Sequence, residues 1–229
     1  METRRTFDRE LHALQDQVLT LGSMVENAII ESVAHLKQQN LEGAREIIVQ
    51  DSLINKKRYA IEEQVLVLIA TQQPMASDLR VLAAMLEIAG ELERIADYAK
   101  GIGKITLMIG YTPHIKPLID IPLMAQHARE MLHAALVAFA QRDVAAARAI
   151  PKEDDVVDQL YNQVYRELLT YIFEDHTRIE QANQLLWAAH NLERAADRVT
   201  NICERVIFTV TGEIAELDVK GELEAPPEV

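Results

Sequence analysis

The phrase Glu93-Arg94-Ile95-Ala96-Asp97 returns 100 residues later as Glu193-Arg194-Ala195-Ala196-Asp197, with two acids four positions apart in each copy. On a helix, residues i and i+4 are turned by only about 40° and raised by about 6 Å, so both carboxylates point the same way. A second pair accompanies each phrase: Asp51 with Asn55, and Asp154 with Asp158, offset by 103. Within the first half, Asp51 with Asp97 and Asn55 with Glu93 are symmetric about Pro74. In the second, Asp154 with Asp197 and Asp158 with Glu193 are symmetric about a point between Asp175 and His176. If each pair lies on antiparallel helices joined at those points, four oxygen-bearing side chains stand at one height in each half.

Like charges at i,i+4 each cost a helix about 0.2–0.5 kcal/mol, and Asp is a poor residue for a helix interior. A hard cation explains why both halves keep them. Clustered carboxylates suit Mg²⁺, Ca²⁺, Mn²⁺ or iron, and Asn55 can add an amide oxygen. The candidate ligands are Asp51, Asn55, Glu93 and Asp97 in the first half, and Asp154, Asp158, Glu193 and Asp197 in the second. The second site, with four carboxylates against three, is expected to bind more tightly. Reflection about the preceding turns also brings Glu26 toward Asn55 and Asp51 and Glu130 toward Asp154. The alternative is a salt-bridge network in which Arg94 and Arg194 neutralise the acids, each bridge contributing about 0–1 kcal/mol. A single cysteine, with seven scattered histidines, speaks against a zinc site of the usual kind.

Apolar residues recur at helical spacing through six segments, 7–38, 41–72, 76–109, 119–141, 144–173 and 178–211. Ile88, Leu92, Ile95, Ala99 and Ile102 step by four and three, the seam of a bundle, and Ala188, Leu192, Ala195, Val199 and Ile202 repeat it. Asn40 and Asp143 are candidate N-caps. Gln73-Pro74-Met75 separates the second helix from the third. Pro151 either kinks the fifth helix or marks a short helix 144–149, followed by a main one from near Lys152. The fold class is all-α: two tandem, similar three-helix bundles. Their boundaries are read as 1–110 and 123–211, with a linker 111–122 and an acidic disordered tail 212–229.

The rest of the sequence excludes several function classes. A net charge of −13 opposes nucleic acid, whose binding needs phosphates neutralised, and anionic membrane surfaces. The longest apolar run, Val65 to Ala70, falls far short of the roughly 18–20 residues of a membrane span, and no apolar stretch of signal type follows Met1 to Thr6. A cytoplasmic protein is expected. Cys203, among Val199, Ile202 and Val206, reads as a buried structural thiol.

The two Glu-Arg-x-Ala-Asp phrases, the turn Gln73-Pro74-Met75-Ala76-Ser77-Asp78-Leu79-Arg80, and the openings Asp51-Ser52-Leu53-Ile54-Asn55 and Asp154-Asp155-Val156-Val157-Asp158 resemble the PhoU family over about residues 7–211. The resemblance implies a cytoplasmic negative regulator of phosphate uptake and of the phosphate-starvation response. Its implied partners are a phosphate ABC transporter and a two-component sensor kinase, and multinuclear metal clusters are implied on the eight ligands above. Iron, manganese or magnesium are the expected metals, and a homodimer the expected assembly. Asp78, Arg80, Arg94 and Arg194 lie in the family phrases and are candidates for partner contact, Arg94 alternatively bracing Glu91. Asn55 stands where the family has an acid.

Two other readings stay open. A di-iron oxidase wants two Glu-x-x-His motifs, and only Glu130-Met131-Leu132-His133 is present. No nucleophile, base and orienter set stands out, so an enzyme is not expected. A metal-free helical scaffold predicts the same fold and partners.

Overall fold

The structure, a computed structural model, describes residues 2–214, 216 and 217. Residues 215 and 218–229, within the expected acidic tail, lie outside them. The helices are α1 (Glu2–Gln38), α2 (Leu41–Gln72), α3 (Ala76–Ile109), α4 (Asp120–Gln141), α5 (Val144–Ala149), α6 (Asp154–Glu174) and α7 (Ile179–Thr211). No strand occurs among the described residues. None of their helices is long and apolar enough to cross a membrane.

Local chemistry sets the boundaries. Asn40 accepts from the Gly43 amide at 3.1 Å and Asp143 from the Ala146 amide at 3.0 Å, so both predicted N-caps are in place. Pro151 falls in a 3₁₀ turn, Ile150–Glu153, that separates the short α5 from α6. The main helix therefore starts at Asp154, two residues later than read from the sequence. Pro122 lies in the first turn of α4 rather than in the linker, a place where its missing N–H has no helical acceptor to lose.

In each half three helical segments pack antiparallel: α1, α2 and α3, then α4, α5–α6 and α7. The end of α3 lies close against the start of α2 at Gly103, where a Cβ would meet the Ala44 carbonyl at 3.1 Å. The most extensive helix–helix contact joins the halves, between α3 and α7, with α1 and α4 packed beside it. Glu91 meets Asn201 and Glu87 meets Arg205, while Tyr98 meets Arg194 and Gly101 faces Asn191. Rising numbers on one helix meet falling numbers on the other. The helices thus cross antiparallel about the buried, equivalent Ala96 and Ala196. One continuous apolar cluster, from Phe7 through Ile88 and Met124 to Ile207, runs through both bundles.

The connection between halves is fastened at both ends. Gln181, buried on α7, accepts from the Ile115 amide at 2.7 Å and donates to the Thr112 and Pro113 carbonyls. Lys116 pairs with Asp120 and with Glu167 of α6.

Candidate functional site

The α2–α3 hairpin brings the first predicted set together. Asp51 is 5% exposed, and its Oδ2 accepts both from Asn55 Nδ2, 3.1 Å away on the same helix, and from Lys100 Nζ at 2.7 Å. Lys100 also reaches the exposed Asp97, at 3.3 Å. Asp51 Oδ1 is buried and has no hydrogen-bond partner. Burial first, then Asp97 and Asp51, push the Glu93 carboxyl above its usual range, while Arg58 and Arg94 work against the rise. Asp51 therefore stands beside Asp97 as the reflection about Pro74 requires, with a lysine between them.

The second set forms on α6 and α7. Asp154 is 3% exposed; Asp158, Glu193 and Asp197 are half-buried. Burial, then the Asp197 and Asp158 charges, push Glu193 up to about 7, with Arg194 opposing and Asp154 adding to the rise. That mutual repulsion places all four predicted acids in one electrostatic neighbourhood. Arg194 Nη1 approaches Asp197 at 3.3 Å, and His190 Nδ1 approaches Glu193 at 3.2 Å. The Tyr161 hydroxyl is held above its ordinary pKa by burial and by Glu193.

Three differences at equivalent places favour cations in the first cluster, and a fourth, His190 of the second against Gly90 of the first, runs the other way. Where the second cluster has Asp158, Tyr161 and Thr200, the first has Asn55, Arg58 and Lys100. The first cluster thus loses an acid and gains two cations. Lys100, Arg58, Tyr161 and His190 were missed when only carboxylates were matched. Lys100 had a signal: it lies three residues from Asp97, and reflection about Pro74 sets it opposite position 48, one turn from Asp51.

Fit to a metal separates the two sites. In the first, an ammonium already bridges the two acids that an ion would share. In the second, four carboxylates supply the hard oxygen donors such an ion prefers. Among the described residues no group of three or more His, Cys, Asp or Glu is already gathered tightly enough to hold an ion.

The remaining candidates have plain positions. Arg94, itself exposed, donates to Glu91 at 2.8 Å, the bracing given as its alternative role, and Glu91 also receives Arg198 and Asn201 of α7. Arg194 reaches across the bundle interface to Tyr98. Asp78 is 8% exposed in the first turn of α3, where a carboxylate favours the helix N-terminus. Arg80 lies against Gly212 beyond the end of α7. Glu26 pairs with His133 of α4 at 3.2 Å, since α1 packs on α4 as well as on α2. Glu130 accepts from Gln126. Cys203 is fully buried, and burial pushes its thiol up to about 12.

Two antiparallel three-helix repeats, each presenting an acid-faced hairpin, define a duplicated all-α bundle protein. The PhoU domain matches residues 18–106 and 121–206, one copy in each half. The phosphate-specific transport system accessory protein PhoU of Edwardsiella tarda is 36% identical over 211 residues, 92% of this chain and 87% of that protein. The crystal structure of the phosphate transport system regulatory protein PhoU from Streptococcus pneumoniae matches with a TM-score of 0.84 at 32% identity, covering 91% of this chain and 99% of that one. The crystal structure of PhoU from Pseudomonas aeruginosa matches with a TM-score of 0.85 at 30% identity, covering 90% and 100%. The chain belongs to the PhoU family.

Proposed function

We propose that this protein is a regulatory adaptor of a phosphate-specific transport system, acting at the cytoplasmic face. It binds a phosphate ABC transporter subunit and a two-component sensor kinase, as a homodimer, and lowers uptake and starvation signalling when phosphate is plentiful. It turns over no substrate. The observation that carries this reading is the match, in both repeats and over about nine-tenths of the chain, to accessory and regulatory proteins of phosphate transport. The acidic hairpin faces suit basic partner surfaces, since complementary charge speeds and orients encounter.

Within this reading the second cluster is the place for a hard cation. Asp154, Asp158, Glu193 and Asp197 would hold it, and the ion would offset the burial and the neighbouring charges that push Glu193 up to about 7. Two measurements test the proposal. The untagged protein should retain the transporter's ATPase subunit and the kinase's cytoplasmic part on co-purification. Elemental analysis should find iron, manganese or magnesium that Glu193→Ala with Asp197→Ala removes. Loss of both partners with the fold intact would overturn the adaptor; unchanged metal content in the double variant would reduce the second cluster to a salt-bridge network.

A further inference from the structure

The two clusters are equivalent by chain position and unlike in content. In the first, Lys100 Nζ sits 2.7 Å from Asp51 Oδ2 and 3.3 Å from Asp97 Oδ1, bridging α2 to α3. Asn55 donates its amide N–H to the same Asp51 oxygen at 3.1 Å, and the oxygen it could offer an ion is neutral where Asp158 has a carboxylate. Thr200 stands at the matching place on α7 and is buried, and Asp158 stands for Asn55. An ammonium is a compact monovalent point charge with three donors, suited to lie between two carboxylates. A divalent ion would have to displace it, and the displaced charge would then face the ion at close range.

We propose that the Lys100 ammonium is the resident counter-cation of the first cluster, so that the first bundle takes no metal ion while Lys100 is in place. The contrast with a metal-responsive second bundle rests on the adaptor's proposed metal; the claim about the first bundle does not. Lys100 and Asn55 are thus the residues that decide which half answers to divalent cations. With the ammonium gone, Asp51 Oδ1, buried and unpartnered, is available beside Asp97 and Glu93.

The test uses the full chain, untagged and stripped with EDTA, with Mn²⁺ as probe and free Mn²⁺ read by electron paramagnetic resonance. Asn55→Asp with Lys100→Thr should gain Mn²⁺ beyond the wild-type stoichiometry, at least roughly tenfold tighter than any binding the wild type shows at its first cluster. Asp97→Asn added to that variant should abolish the gain. Lys100→Gln, a milder change, should show a thermal midpoint that Mn²⁺ raises by several degrees more than in the wild type, since a ligand of the native state stabilises it. No gain in the double variant together with no added rise in Lys100→Gln would overturn the proposal. So would wild-type Mn²⁺ binding that survives Glu193→Gln/Asp197→Asn and is lost on Asp51→Asn. A wild type that binds no Mn²⁺ while the double variant gains it would refute the metal of the second cluster and uphold the role of Lys100.

Discussion

Glu193 shows how the side chains of the second cluster act on one another. Burial, Asp197 and Asp158 raise its carboxyl to about 7, against an unfolded value of 4.5. The folded state therefore keeps a proton that the unfolded chain releases, and stability contributed by this group is complete below about pH 4.5 and lost as pH rises through 7. A tenfold change in proton affinity corresponds to about 1.4 kcal/mol, and partial solvent access reduces the whole contribution to roughly 1–3 kcal/mol. In EDTA, Glu193→Gln should flatten this fall and be the more stable protein at pH 8, read from urea midpoints across the range. Parallel curves for variant and wild type would mean that Glu193 ionises freely. Cys203 also illustrates burial at this scale: fully enclosed on α7, it keeps its proton and packs as a small apolar residue.

Between elements, close approach depends on small residues at crossings. A Cβ on Gly22 of α1 would fall 2.2 Å from Leu136 Cδ1 of α4, so the larger Gly22→Val must push α1 and α4 apart or force Leu136 off its rotamer. The expected cost is about 1–3 kcal/mol, measurable by chemical denaturation; an unchanged midpoint would show that Leu136 yields freely. The helices themselves were legible in the sequence, because apolar residues step by four and three and because Asn40, Pro74 and Asp143 punctuate them. The matched carboxylates were legible for the same reason, reflection about a turn being arithmetic. Contacts between the halves were not, since nothing local says that α1 lies against α4, and the Glu26–His133 pair depends on that packing. Lys100 lies outside that arithmetic for a different reason: the repeat matches acid with acid, and a base between two acids has no counterpart in the other half, where Thr200 stands. Pro151 left two outcomes open, and the 3₁₀ turn resolves them by letting the backbone tighten before α6 begins.

As a whole, the molecule is a duplication whose halves meet antiparallel through α3 and α7 and share one apolar core. Burial continuous across the halves ties the two acidic hairpins to one framework. The outer helix α2 carries exposed apolar side chains, Val49, Leu53, Leu66 and Val67, that the core does not use. Framework and family membership are those of an accessory protein of phosphate transport. The most direct test is deletion of the gene in its own organism, with a phosphate-starvation reporter read in phosphate-rich medium. The reporter should switch on, and the wild-type gene supplied in trans should silence it. A reporter that stays repressed in the deletion strain, with no other PhoU-family protein present to substitute, would contradict the regulatory role.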